Sequence, residues 1–189
     1  MKHKHEFSAL KGQAAVLLAL RGSGAKQQLL LTRRAEHLNI HRGEVAFPGG
    51  KWEQGDSSLM FTALRESHEE VGLLPDAVEV IGQLKACPTR AGMLVTPFVG
   101  LIPEHQELFP NPEELESLFW VPVDFFIRDQ RARTDIFRWG DQEEWAPVYE
   151  WQGYKIWGFT ARVIVTFMNQ YVGMNIDREN NAIETVYKK

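Results

Sequence analysis

Residues 49–73 read GGKWEQGDSSLMFTALRESHEEVGL. Two glycines stand ahead of an apolar-periodic run that carries Glu66, Glu69 and Glu70 close together. Like charges that close on a helix repel and weaken it. The spacing nevertheless predicts a helix over 57–72. Asp56, Ser57 or Ser58 can serve as its N-cap, and Gly72 sits where a C-terminal glycine belongs. Leu59, Ala63, Leu64 and Val71 form a core-facing stripe, and the three glutamates share another side. Arg65 lies four residues before Glu69 and is spaced to pair with it. Helix physics alone admits a solvated acidic face. A glycine loop lets backbone approach a ligand closely, however. Clustered carboxylates also suit Mg²⁺ or Mn²⁺, which take hard oxygen ligands and leave positions for water and phosphate.

Outward from the helix, QAAVLLALRG (13–22) and QQLLLTRR (27–34) read as two strands joined by a turn, and GEVAFPGG (43–50) as a short strand. Residues 77–87 and 93–103 are strand-like, and 104–116 is polar with two prolines and reads as an irregular loop. SLFWVPV (117–123) reads as a strand, with a short helix over 122–129. Aromatic-rich strands follow over 135–159, then helical periodicity over 160–173 and a polar tail. Trp145, Tyr149, Trp151, Tyr154 and Trp157 read as packing residues rather than a base-stacking platform. The order suggests an α/β chain, a mixed sheet covered by helices. The organisation expected is an N-terminal extension (1–12), one domain (13–173) and a C-terminal tail (174–189).

The 189 residues suffice for a core without disulfides, and the single Cys87, which permits no internal disulfide, reads as a small hydrophobe in a strand. The net charge of −4 argues against a general nucleic-acid partner. No apolar run is long enough to span a bilayer, and MKHKHEF lacks a secretory apolar segment, so no membrane partner and a cytoplasmic location are expected. His3 and His5 carry a weak metal-tract signal within a start that reads as disordered. A homodimer is left open as the assembly.

These residues resemble the Nudix hydrolase family, whose signature runs Gly-x5-Glu-x7-Arg-Glu-U-x-Glu-Glu-x-Gly-U, with U apolar. Residues 65–73 follow its second half with one departure, Ser67 in an apolar position. The first half departs more: Asp56 replaces the glutamate, and eight residues rather than seven separate it from Arg65. That departure weakens any role for Asp56, which is left open, and leaves the acidic core intact. Upstream, LLLTRRAEHLNIHRGEVAFPGGK (29–51) is similar to a second motif of the coenzyme A pyrophosphatase branch, Leu-Leu-Thr-x-Arg-[Ser/Ala]-x3-Arg-x3-Gly-x3-Phe-Pro-Gly-Gly-Lys. It matches at Leu30, Leu31, Thr32, Arg34, Ala35, Gly43 and 47–51. Asn39 stands where the second arginine belongs, and Arg42 is three residues away.

The resemblance implies a Nudix-type α/β/α sandwich and hydrolysis of a small-molecule diphosphate. For coenzyme A the products would be 4′-phosphopantetheine and adenosine 3′,5′-bisphosphate. It implies that Glu66, Glu69 and Glu70 hold Mg²⁺ or Mn²⁺ and that Arg65 orients Glu69 or its neighbours. Glu69 is the foremost catalytic candidate. Arg34, Arg42, Gly49, Gly50 and Lys51 are the expected substrate-binding residues. Arginine suits that task because its planar fork recognises phosphate. Among Glu113, Glu114 and Glu116, Glu114 is the choice for a further metal ligand or base. Two alternatives stand beside this reading. One is a Nudix pyrophosphatase of ADP-ribose, dinucleotides or another nucleoside diphosphate derivative, motivated by Asn39. The other, more remote, is a nucleotide-sensing domain without turnover, against which the intact carboxylates speak.

Overall fold

The computed structural model describes residues 10–188, apart from the side chains at 139 and 142. The expected extension, with His3 and His5, therefore lies largely outside the described residues. The chain divides into two compact units, Met1–Val121 and Pro122–Lys189.

The first unit is a mixed eight-stranded sheet. Its strands are β1 (Gln13–Arg21), β2 (Gln28–Arg34), β3 (Val45–Ala46), β4 (Gly49–Lys51), β5 (Glu79–Gln83), β6 (Cys87–Pro88), β7 (Leu94–Leu101) and β8 (Leu115–Pro122). β1 is central and almost continuously buried, as a strand covered on both faces must be. It runs parallel to β7 from Gln13↔Leu94 to Leu20↔Leu101. Its other edge is shared. β2 pairs antiparallel near its end (Leu20↔Leu29), and β4 pairs antiparallel near its start (Ala15↔Gly50, Val16↔Gly49). The glycine segment is thereby fixed as sheet rather than left as a free loop.

Helix α1 (Leu59–Val71) follows. Ser58 is its N-cap, its side chain accepting from the Phe61 amide, and Gly72 closes it in the left-handed conformation at φ 70°. Ala63, Val71 and Leu73 join Ala15, Leu17, Ala19, Leu30 and Phe98 in one core, with Leu59 and Leu64 packed against it. Ser67, at the position where the resemblance asks for an apolar residue, is fully buried, and its hydroxyl donates to Ala63 O at 2.7 Å. A small side chain with its polar group satisfied within the helix meets the same packing demand.

The second unit carries α2 (Val123–Ile127), β9 (Arg131–Trp139), β10 (Gln142–Trp151), β11 (Tyr154–Ile156), α3 (Gly158–Phe167) and β12 (Ile183–Lys188). The aromatic-rich strands do not extend the first sheet. They form a separate four-stranded sheet in the order β11-β10-β9-β12. Tyr149 is fully buried against Phe125 and Phe126, so this part of the aromatic cluster is packing. Within the stretch expected to be a polar tail, β12 pairs parallel with β9 from Ile183↔Arg133 to Lys188↔Arg138. The approach to it is fastened by Arg131, whose guanidinium bonds Asp129 and the Asp177 carbonyl (2.8 Å). No described helix is long and apolar enough to cross a membrane.

Candidate active site

The acidic face of α1 is organised by one guanidinium. Arg65 Nε donates to Asp56 Oδ1 at 2.8 Å and Nη2 to Asp56 Oδ2 at 3.1 Å. Nη2 also donates to Glu66 Oε1 (2.9 Å) and Lys51 O (3.3 Å), and Nη1 to Glu69 Oε2 (3.0 Å). The planar fork of arginine makes this many-sided grip possible. The i to i+4 pair with Glu69 is the one its spacing predicted.

Asp56, whose role the departure from the signature weakens, anchors this guanidinium. It is 2% exposed, and besides Arg65 it accepts from the Glu53 amide (3.1 Å) and the Thr62 hydroxyl (2.8 Å). Burial alone would push its carboxyl up, but the hydrogen bonds from Arg65, the Glu53 amide and Thr62 outweigh that and hold it below its ordinary 3.8. Its side chain is one carbon shorter than glutamate, and it stands one residue further from Arg65 than the signature asks. The loop takes up the difference. The combination of an acid before a capped helix and an arginine nine residues on is the signal by which it could have been found.

Glu70 lies deeper. Its Oε2 accepts from the Gly49 amide at 3.0 Å, and Arg34 Nη1 stands 3.7 Å from its Oε1. It is 3% exposed. Burial raises its carboxyl to about 8, the negative Glu114 and Glu66 adding to the rise and the Gly49 amide and Arg34 opposing it. Glu66 is also pushed up, first by burial, with Arg65 opposing and Glu69 and Glu114 adding. Gly49 is sterically required by the fold, and Gly50 by the place of one side chain. A Cβ on Gly49, whose φ is 148°, would overlap Ala15 O and stand 2.6 Å from Val16 Cα. A Cβ on Gly50 would overlap the Glu66 carboxyl group, with Oε2 at 2.6 Å.

Of the expected residues, the structure brings together Arg34, Gly49, Gly50, Arg65, Glu66, Glu69 and Glu70. Glu114 joins them from the 102–114 loop: it is half-buried, and its charge bears on both Glu66 and Glu70. Glu113 and Glu116 face other partners, the former's carbonyl His37 Nε2 (3.0 Å) and the latter Arg33 (3.3 Å). Lys51 is exposed, its carbonyl tied to Arg65. Arg42 stands exposed in the turn before β3, with no ion pair to a described residue. Arg33 and Arg34 diverge as strand alternation requires, only the latter reaching the acidic helix.

The donor set suits a divalent cation: carboxyl oxygens only, with Glu70 a buried group whose ionised form Gly49 and Arg34 compensate incompletely. It is not a ready cage. Among the described residues no three His, Cys, Asp or Glu side chains are gathered closely enough to hold an ion as they stand. The reason is visible in the bonds: Glu66 and Glu69 are turned toward Arg65, and Glu70 toward Gly49.

Comparison with known proteins gives concordant results. The family model of the NUDIX domain matches residues 11–140. The chain is 42% identical over 166 residues to the Nudix hydrolase NudL of Yersinia pestis strain Pestoides F, a protein described as uncharacterized. That match covers 87% of this chain and 82% of the relative, and NudL of Yersinia pseudotuberculosis serotype O:1b gives the same figures. Among solved structures, a MutT/nudix family protein from Enterococcus faecalis superposes with a TM-score of 0.55 at 16% identity, covering 86% of this chain and 62% of that one. The Ap4A hydrolase of C. elegans gives 0.51 at 18% identity, covering 61% and 84%. These two share the fold.

Proposed function

The chain belongs to the Nudix family of hydrolases, which act on phosphoanhydride bonds, and from that premise we propose that it hydrolyses the diphosphate of coenzyme A or a derivative with Mg²⁺ or Mn²⁺. One observation carries the reading. The upstream motif and the acidic helix meet at a single carboxylate, Glu70, held by the Gly49 amide on one oxygen and faced by Arg34 on the other. Arg34 and Gly49 are residues that the coenzyme A-type motif specifies, so the motif borders the acidic helix.

Glu66, Glu69 and Glu70 would hold the cation, with Glu114 as a further ligand or base. A bound divalent ion supplies charge neutralisation at the phosphate oxygens and an acidified water. The chain's own residues do the rest. Arg34 offers a guanidinium to a phosphate. Gly50, lacking a side chain, leaves Glu66 its place. Asp56 fixes Arg65, which aligns Glu66 and Glu69. Water is added across the diphosphate, so each phosphorus leaves as a monophosphate: 4′-phosphopantetheine from one side, adenosine 3′,5′-bisphosphate from the other.

Product identification after incubation with coenzyme A and Mg²⁺ or Mn²⁺ tests this. Those two products are expected, and intact coenzyme A after prolonged incubation would refute the substrate. Asn39, exposed where the motif has arginine, favours a second reading, hydrolysis of ADP-ribose, dinucleotides or another nucleoside diphosphate derivative. Dephospho-coenzyme A and ADP-ribose run in parallel decide between the two.

A further inference from the structure

The loop before β8 is polar and carries Pro110 and Pro112, a composition that promises little order. It is nevertheless bound at both ends. The Asn111 amide donates to Glu70 O at 2.8 Å, and the Phe109 amide to Val71 O at 3.1 Å. Those carbonyls belong to the last turn of α1, where no intrahelical donor remains for them. Asn111 then closes a turn on itself. Its Oδ1 accepts from the Glu113 amide (3.1 Å), and its carbonyl accepts from the amides of Glu114 (3.0 Å) and Leu115 (2.8 Å). Pro112 presets the backbone of the second position in such a turn. Beyond the turn, the Ala35 amide donates to Glu114 O at 2.9 Å. Ala35 follows Arg34, whose guanidinium faces Glu70.

We infer that Asn111 is a positioning residue: its side chain closes the turn that follows the backbone latch to the acidic helix, and so sets Glu114 beside Glu66 and Glu70 as a fourth carboxylate of the site. The inference rests on the metal-dependent diphosphatase reading. Register makes the latch consequential. Glu113 and Glu114 are adjacent, and the turn decides which of them faces the site. As folded, Glu113 is exposed, and Glu114 is half-buried with its charge felt by both helix glutamates. A slip of one residue would exchange them.

The test is Mn²⁺ titration calorimetry on the full chain without substrate, paired with kcat and KM on whichever diphosphate of the panel is turned over. Four variants are compared: N111A, N111D, E114Q and N111A/E114Q. N111A should weaken Mn²⁺ binding about tenfold, the scale expected when an outer-shell partner of a ligand is lost, and E114Q, which removes the carboxylate itself, at least as much. Both should lower kcat with KM nearly unchanged. N111D keeps the acceptor for the Glu113 amide and should stay within about twofold of wild type. The double variant should be no worse than E114Q, because Asn111 acts through Glu114. Wild-type Mn²⁺ affinity in N111A, or additive losses in the double variant, would overturn the inference. A silent E114Q would overturn it too, while continued turnover by that variant would leave the diphosphatase reading standing. If N111A does not fold by circular dichroism, P112A loosens the same turn without removing a hydrogen bond. It should show a smaller loss in the same direction, and no loss there overturns the proposal.

Discussion

Replacing Asp56 by Asn tests whether the clasp under the acidic helix holds the fold as well as the site. The Asp56 and Arg65 side chains are 3% and 20% exposed, so little solvent screening applies. An asparagine keeps one oxygen. Its better orientation places that oxygen at the Oδ2 position, which serves Arg65 Nη2, Thr62 and the Glu53 amide. The amide nitrogen then takes the Oδ1 position and points its N–H groups at Arg65 Nε, the donor of the 2.8 Å bond. One charge-assisted bond is lost, worth about 1.5–3 kcal/mol. The buried charge pair is broken as well, for which about 3–5 kcal/mol is usual. Arg65 retains Glu66 and Glu69, which limits the damage, and the loss should be about 3 kcal/mol. In a chain of this size that lowers Tm by roughly 6–12 °C.

The pH dependence has a definite sign. The folded-state carboxyl of Asp56 is held below 3.8, so its contribution is fully present above the unfolded value. It is lost as pH falls through the folded one. The gap in unfolding free energy between wild type and D56N should therefore be constant from neutral pH down to about 4 and close below it. Urea denaturation from pH 7 to pH 3 measures it. A gap under about 0.5 kcal/mol at pH 7, the range of ordinary surface substitutions, would refute the reasoning. So would a gap that persists unchanged in acid.

Other substitutions separate roles that share this small volume. Glu69→Gln should lower kcat by at least about a hundredfold with the melting curve little changed, since Glu69 is half-exposed and, among the described residues, is bonded to Arg65 alone; a near-wild-type rate at saturating Mg²⁺ would remove it from the metal site. Arg34→Ala should raise KM for phosphate-rich substrates about tenfold, and an unchanged KM would return Arg34 to a purely structural partner of Glu70. Gly49→Ala and Gly50→Ala should differ in kind. The first forces backbone against Ala15 and Val16 and should cost about 2 kcal/mol or more in urea denaturation. The second displaces only the Glu66 carboxyl group and should instead raise the Mn²⁺ concentration needed for half-activation.

The parts legible in the sequence are those that local periodicity determines. Leu59, Ala63, Leu64 and Val71 gave the buried stripe of α1, and Gly72 its left-handed end. What was not legible depends on where backbone groups find partners at a distance. Residues 104–114 are irregular, as their polarity and prolines suggest, but the bonds that tie Phe109 and Asn111 to the Val71 and Glu70 carbonyls of α1 leave no trace in local composition. IETVYK (183–188) lacks a buried alternation, with Ile183 75% exposed, so its pairing with β9 rests on backbone bonds that composition does not announce. The place of Asp56 is open in the sequence because a motif counts residues along the chain, whereas Arg65 responds to where a carboxylate ends in space.

Glu70 shows why the crowding of carboxylates on α1 is not an error of charge. Arg65 accounts for Glu66 and Glu69, and both keep some contact with solvent. Glu70 has neither advantage. It is 3% exposed, feels the charges of Glu66 and Glu114, and among the described residues is offset by one amide and a guanidinium 3.7 Å away. Burying a carboxylate with so little compensation is costly, and a leucine there would pack α1 against the sheet more stably. The chain instead spends a glycine of unusual φ on supplying the single amide. Such local conflicts concentrate where a ligand resolves them. In the proposed diphosphatase the divalent cation is the missing countercharge, so metal binding and stability should be coupled through this residue. Mg²⁺ or Mn²⁺ should raise the Tm of the wild type, by an amount growing with the logarithm of its concentration once that exceeds Kd. It should raise the Tm of Glu70→Gln much less, although that variant alone should melt higher than the metal-free wild type. Equal metal-induced shifts in the two proteins would show that Glu70 is not where the cation and the fold meet.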